Sequence, residues 1–248
     1  MTAPVFLVSS QALASDICRI DGDEGRHAAT VKRMRIGERI DVCDGIGHRA
    51  SGLVQALGRD WVDLAIDSRV SDPEPELHFI AVQAIAKGDR ADLAIELLTE
   101  VGVDRIIPWK SQHSIAQWDD TGKSLAKWLR VAREATKQSR RSWVPIVSDA
   151  VTTGELINDL AEYDLVVVLH ESAERSLSDV VLPRSGTVAV VIGPEGGISA
   201  SELELFSSSG VVAVRMGDTV MRTSTAGGVA LGVLASKTSR WANKEVTR

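Results

Sequence analysis

Apolar and polar positions follow two rhythms along the chain, and the change between them divides it. Residues 1–72 carry short runs of strand character at 5–8, 39–43, 50–57 and 61–66. Asp44-Gly45, between two of these runs, is a hairpin signal. A short helix is expected over 24–31. From residue 77 the period lengthens. Residues 78–85 read as a strand; Leu93, Leu97, Leu98 and Val101 then share one face of a helix over 90–101, which Gly102 closes. Further strands are expected at 105–108, 165–169, 188–192 and 211–216. The run Val188-Ala189-Val190-Val191-Ile192 is apolar at every position, as in a strand covered on both faces. Strands alternating with helices predict an α/β domain with a largely parallel sheet. Between the two rhythms lies Ser71-Asp72-Pro73-Glu74-Pro75-Glu76, whose prolines and acids neither pair in a sheet nor bury. The expected organisation is a small β-rich domain over 1–72 and an α/β domain over 77–248.

Composition narrows the class. The chain has 248 residues with 44% hydrophobic content, ample for a core. Its net charge of −6 argues against indiscriminate nucleic-acid binding, while leaving room for a local basic face. Cys18 and Cys43 form no metal-ligand pattern and read as free thiols of a reducing cytosol, so no metal is expected. The first residues lack the basic and apolar regions of a secretion signal, and no apolar run reaches the roughly 18 residues of a membrane span. These observations point to a cytoplasmic protein without a membrane partner.

The charge is unevenly placed. Residues 123–141 hold Lys123, Lys127, Arg130, Arg133, Lys137, Arg140 and Arg141 against the single acid Glu134, a local +6 in a chain of −6. Leu125, Trp128, Leu129 and Ala132 supply the buried face of this helix. Lys123, Lys127, Arg130, Lys137 and Arg141 fall along one exposed stripe, suited to phosphates; a solvated helix face is the other reading. Lys32, Arg33 and Arg35 form a second basic group beside His27, readable as an RNA contact or as a solvated turn.

Candidate chemistry concentrates in two glycine-rich stretches. After the strand ending at Ile192, Gly193-Pro194-Glu195-Gly196-Gly197 makes a tight loop with one carboxylate, and Ser199 with Glu202 is spaced as a capping box that starts a helix. The strand end of an alternating sheet is a usual ligand position. The loop matches neither of the common phosphate-binding glycine patterns. The second stretch runs from Met216-Gly217 through Met221-Arg222-Thr223-Ser224-Thr225 into a helix holding Gly227, Gly228 and Gly232. Each interior glycine costs a helix about 1 kcal/mol relative to Ala, so something is expected to pack closely there.

The two stretches, IGPEGG-(I/L)-S-x-x-E and (L/M)-G-x-x-(V/I)-(L/M)-R-T-x-T-(A/T), resemble in order and spacing the SPOUT superfamily of methyltransferases. Within it the match is to the RsmE family, which methylates N3 of a uridine in 16S ribosomal RNA. His27, Val31, Arg33 and Met34 fit the family's H-x-x-x-V-x-R-M, and Gln138, Ser139, Arg141 and Pro145 fit Q-(C/S)-G-R-x-x-x-P. Four departures stand out. Pro4-Val5-Phe6 lacks the family's Arg, Arg140 replaces a Gly, Ser224 replaces a Glu, and His113 lies where many members carry Arg.

The resemblance implies a SPOUT domain with a parallel sheet and deep trefoil knot, plus an N-terminal PUA-like RNA-binding β-barrel. It implies S-adenosyl-L-methionine as cofactor, 16S rRNA within the small ribosomal subunit as partner, and a homodimer, for which Gly227, Gly228 and Gly232 would let another helix approach. It assigns the cofactor pocket to Leu169, His170, Ile192, Gly193, Pro194, Glu195, Gly196, Gly197, Met216, Gly217, Val220, Met221, Arg222, Thr223, Thr225 and Ala226. Lys32, Arg33, Arg35, Lys123, Lys127, Arg130, Lys137, Arg140 and Arg141 are the expected RNA contacts. Uracil N3 carries a proton that must leave, so Glu195 is a candidate base and Arg222 a candidate stabiliser of the developing anion. Glu195 is equally readable as a loop cap and Arg222 as a phosphate ligand. A methyltransferase acting elsewhere on ribosomal or transfer RNA, and a ribosome-assembly protein without turnover, are the other function classes the sequence allows.

Overall fold

The computed structural model describes residues 3–241. The chain divides into two compact units, one of residues 1–74 with 136–144, the other of 75–135 with 145–248.

The first unit is a five-stranded sheet in the order β1-β3-β4-β5-β2, built from β1 (Val5–Leu7), β2 (Ile17–Ile20), β3 (Arg39–Cys43), β4 (His48–Leu57) and β5 (Val62–Ser71). β1 runs parallel to β3 and the remaining pairs are antiparallel. The expected barrel is therefore a sheet whose edges, β1 and β2, are not paired to each other among the described residues. Two short helices, α1 (Ser10–Ala14) and α2 (Gly22–Arg26), join the strands. The helix expected over 24–31 is split: α2 passes into one π-helical turn over His27–Val31. The Asp44-Gly45 hairpin holds, with Asp44 Oδ1 accepting the N–H groups of Ile46 (3.0 Å) and His48 (3.1 Å) and Gly45 at φ 79°. β2 is a strand the sequence reading did not include, although its exposed and buried positions alternate as a half-buried strand should.

Cys18 and Cys43 are free and buried in this unit. Burial pushes each thiol up to about 11, so neither is a thiolate at neutral pH.

The second unit is a parallel sheet in the order β12-β10-β11-β6-β7-β8, with β9 also on β7. Its strands are β6 (Leu77–Ala84), β7 (Arg105–Lys110), β8 (Ile146–Val147), β9 (Val151–Thr152), β10 (Leu165–Leu169), β11 (Gly186–Ile192) and β12 (Val212–Val214). Every pairing is parallel. Central β6 and β11 are buried almost throughout, as the unbroken apolar run predicts. One face is covered by α3 (Asp89–Val101), α4 (Lys123–Ser139) and α7 (Thr223–Ala235), the other by α5 (Thr153–Leu160) and α6 (Ala200–Ser208). No helix among the described residues is long and apolar enough to cross a membrane.

The glycines of α7 are consumed inside the unit. A Cβ at Gly227 would lie 3.0 Å from Leu98 and 3.2 Å from Ile192; one at Gly228 would lie 3.0 Å from Leu97. A Cβ at Gly232 would lie 3.3 Å from the Trp241 ring. The glycine surface of α7 is thus met from within the unit by Leu97 and Leu98 of α3, by Ile192 of β11 and by Trp241.

The basic stripe on α4 also needs correction. Lys137 is 8% exposed and pairs with Glu24 at 2.8 Å, within the first unit. Lys127 pairs with Asp92 at 2.7 Å. Arg140 sits at φ 59°, a left-handed conformation that explains why a Gly suits this position, and its guanidinium is held by Asp41 (3.5 Å) and the Ala3 carbonyl. Arg141 is half-buried. Lys123, Arg130 and Arg133 remain exposed and have no ion-pair partner among the described residues. Lys32, Arg33 and Arg35 are exposed on the first unit.

Candidate functional site

Three neighbouring strands, β12, β10 and β11, end at one edge of the parallel sheet. Their loops carry Leu169-His170, residues 193–198 and residues 215–222, and these enclose a cavity of about 660 Å³. A cavity of that size at the carboxyl edge of a parallel sheet suits a small-molecule ligand.

The loop after β11 is fixed at several points. The Gly197 N–H donates to the Pro194 carbonyl at 3.0 Å, and Gly197 takes φ 76°, which a glycine adopts without strain. Gly193 has no room for a side chain, because a Cβ there would come within 2.7 Å of Ile198. Thr223, at the start of α7, donates its hydroxyl to the Gly193 carbonyl at 2.9 Å and so ties the two glycine stretches together. His113 Nδ1 bonds the Gly197 carbonyl at 3.1 Å, and Arg90 Nη1 lies 3.5 Å from Glu195 Oε1.

The capping box forms as its spacing requires, with Ser199 and Glu202 exchanging bonds at the start of α6. Glu202 is only 4% exposed. Its Oε1 accepts the Gln112 N–H (2.8 Å) and the Thr153 hydroxyl (2.9 Å), and its Oε2 accepts from Ser199. Burial pushes this carboxyl up, but the bonds from Gln112, Ser199 and Thr153 outweigh it and hold it below its ordinary 4.5.

Ile192, Met216, Met221 and Ala226 give the cavity apolar walls, and Val220 stands at its lip, 79% exposed. Glu171, Glu195 and Asp218 place carboxylates around it; Arg215 pairs with Asp218 at 2.7 Å. Arg222 is exposed at the N-cap of α7, and its guanidinium has no partner among the described residues. Glu195 uses Oε1 toward Arg90, while its Oε2 has no partner among the described residues. His170 lines the cavity, with Nδ1 accepting the Ser172 N–H at 3.3 Å.

Every residue assigned from sequence to the cofactor pocket lines this cavity except Thr225. Thr225 turns its hydroxyl back onto the Arg222 carbonyl at 3.2 Å, one helical turn behind it, so it closes the helix start rather than facing the cavity. Ser224, where the resemblance places a Glu, is buried. Sequence reasoning missed Glu171, Ile198, Val214 and Arg215, which line the cavity beside the motifs; Asp218 and Thr219, within the second stretch, line it too. It also missed Arg90, Gln112 and Thr153, which brace the loops. Thr152 and Glu155 form a second capping box at the start of α5 that the T-x-x-E spacing could have revealed.

Comparisons with known proteins give the chain its family. Residues 73–235 match the family model of the RNA methyltransferase domain, and residues 20–67 that of the RNA methyltransferase PUA domain. The chain is 40% identical over 247 residues to the ribosomal RNA small subunit methyltransferase E of Mycobacterium tuberculosis, covering 97% of this chain and 94% of the relative. It is 30% identical over 244 residues to the protein of the same name from Bacillus subtilis, covering 94% and 95%. Among solved structures, it resembles a Neisseria gonorrhoeae ribosomal RNA small subunit methyltransferase E bound to S-adenosyl methionine. The TM-score there is 0.86 at 26% identity, over 96% of this chain and 98% of that one.

Proposed function

The chain belongs to the ribosomal RNA small subunit methyltransferase E family, and from that premise we propose that it methylates N3 of a uridine in 16S ribosomal RNA, using S-adenosyl-L-methionine. The observation that carries this reading is the cavity at the ends of β10, β11 and β12, lined by both glycine stretches. The residues present fit the cofactor. Apolar walls at Ile192, Met216, Met221 and Ala226 suit an adenine ring, glycine backbone suits its polar edge, and Glu171, Glu195 and Asp218 suit a molecule with a sulfonium and an ammonium. When bound, S-adenosylmethionine supplies a methyl group on a positively charged sulfur.

The chain's own residues then hold, align and neutralise. The braced loop and the wall side chains fix the reactants at attack distance, which is the main demand of a direct transfer. As uracil N3 loses its proton, negative charge grows on the flanking carbonyls, and the unpartnered Arg222 guanidinium is the donor available to meet it. Glu195 Oε2 is the carboxylate oxygen available to take the proton, with Arg90 steadying Oε1. RNA phosphates are read by Lys32, Arg33 and Arg35 on the first unit and by Lys123, Arg130 and Arg133 on α4. Residues 1–72 act in this reading as an RNA-binding PUA-like domain, and residues 77–248 as a SPOUT domain with a deep trefoil knot that works as a homodimer in the cytoplasm. The dimer rests on the resemblance, since the α7 glycines are filled from within; a monomeric mass by light scattering at micromolar concentration would remove it.

Titration calorimetry with S-adenosylmethionine tests the site. A micromolar Kd, about −8 kcal/mol, is expected for the wild type. Gly196→Val, whose Cβ would come 3.1 Å from His113, is expected to abolish the heat. Equal heat from both proteins would refute the assignment.

A further inference from the structure

We infer that His113, from the loop between β7 and α4, is a positioning residue that holds the glycine loop after β11 in its ligand-ready conformation. The inference rests on the cofactor reading of that cavity and adds a residue that the site motifs do not contain.

Two contacts converge on adjacent residues. His113 Nδ1 bonds the Gly197 carbonyl at 3.1 Å. One residue earlier, a Cβ at Gly196 would lie 3.1 Å from His113 Cβ and 3.4 Å from its carbonyl oxygen. Gly196 is therefore bare because His113 lies against it. A carbonyl can only accept, so Nδ1 carries the hydrogen, and neutral and protonated imidazole both satisfy the bond. The segment that carries His113 is itself anchored. Its neighbour Gln112 donates its N–H to buried Glu202 at 2.8 Å and accepts the Ser201 hydroxyl at 3.3 Å, and Ser111 and Ser114 share a hydroxyl bond at 2.7 Å. His113 thus couples an anchored turn to the part of the cavity wall with the fewest side chains of its own. Between Glu195, which reaches Arg90, and Ile198, the loop has no side chain, because Gly196 and Gly197 have none.

A loop that is ordered only part of the time binds its ligand more weakly in proportion to the competent fraction. Removing one hydrogen bond of this kind corresponds to a roughly three- to tenfold loss. His113→Ala removes the donor. His113→Asn restores it, because the asparagine Nδ2 occupies about the place of Nδ1.

Two measurements on the full chain test the brace. In calorimetry with S-adenosylmethionine, His113→Ala is expected to raise Kd about three- to tenfold and His113→Asn to stay near wild type. In hydrogen exchange by mass spectrometry without cofactor, His113→Ala is expected to speed exchange in the peptide containing the Gly197 amide, which bonds the Pro194 carbonyl; Asn is expected to slow it again. Thermal unfolding should be the same in all three proteins. Unchanged Kd and unchanged exchange in His113→Ala would overturn the inference, as would equal losses in Ala and Asn accompanied by a lower Tm. A wild type that gives no heat, with the exchange pattern intact, would reject the cofactor reading while keeping the brace.

Discussion

Glu202→Gln is the substitution whose cost is best defined by the structure. The carboxylate is almost fully buried, and four bonds from Gln112, Thr153 and Ser199 reach its two oxygens. An amide keeps one oxygen, which can go on serving the Gln112 N–H and the Thr153 hydroxyl. Its NH2 then faces the Ser199 N–H and hydroxyl. The hydroxyl can rotate and accept; the backbone N–H cannot, and is left buried beside another donor. One lost bond to a charged acceptor plus one unsatisfied buried donor comes to about 2–4 kcal/mol. Urea unfolding followed by the fluorescence of the chain's six tryptophans measures the loss; one of them, Trp109, packs edge-on against Phe206 of α6 at 5.5 Å. The pH dependence has a definite sign. The folded carboxyl titrates below its ordinary 4.5, so its contribution is present above that value and is lost as the pH falls through the folded one. The gap between wild type and Glu202→Gln should be full at neutral pH and should close in acid. A gap under about 0.5 kcal/mol, or one that stays constant into acid, would refute the view that this charge is what the four donors are built around.

Arg222→Lys should keep the fold and the cofactor affinity but lose about a hundred- to thousandfold in single-turnover rate, because an ammonium cannot reproduce the guanidinium fork; a rate near wild type would leave Arg222 as a point charge. Lys123→Glu with Arg130→Glu should flatten the log-log salt dependence of RNA binding by about one to two units. The same change at Lys137 should act chiefly on stability, since that side chain is committed to Glu24; a salt slope that moves with Lys137 and not with Lys123 and Arg130 would reverse the assignment. Gly227→Val should cost about 1–3 kcal/mol, because its Cβ meets Leu98 at 3.0 Å and Ile192 at 3.2 Å, and should weaken cofactor binding through Ile192; calorimetry and urea unfolding report the two effects separately.

Much of the site was legible because its residues are consecutive. The apolar run into Gly193, the glycines after it and the Ser199-x-x-Glu202 spacing each express a local requirement: a buried strand, a close-packed turn, a helix start. What could not be read was contributed from a distance. Arg90, Gln112 and Thr153 reach the cavity loops and α6 only because the sheet order sets β6 beside β11 and β7 next to β6. Charge was misread for a related reason. Lys137 falls on the helical stripe by spacing, but spacing does not reveal Glu24, which is 113 residues away in sequence. The glycines of α7 announced a close neighbour without saying which; Leu97, Leu98 and Ile192 supply it.

The most direct test of the central claim is transfer itself. Small-subunit particles or 16S rRNA lacking the modification are incubated with the protein and S-adenosylmethionine labelled in its methyl group, and the RNA is digested to nucleosides for mass spectrometry. The account predicts labelled 3-methyluridine, at about one per RNA, with a rate that collapses in Arg222→Lys. Label on another base or on a ribose would contradict the assigned position, and tight RNA binding with no label transferred would contradict the enzyme altogether.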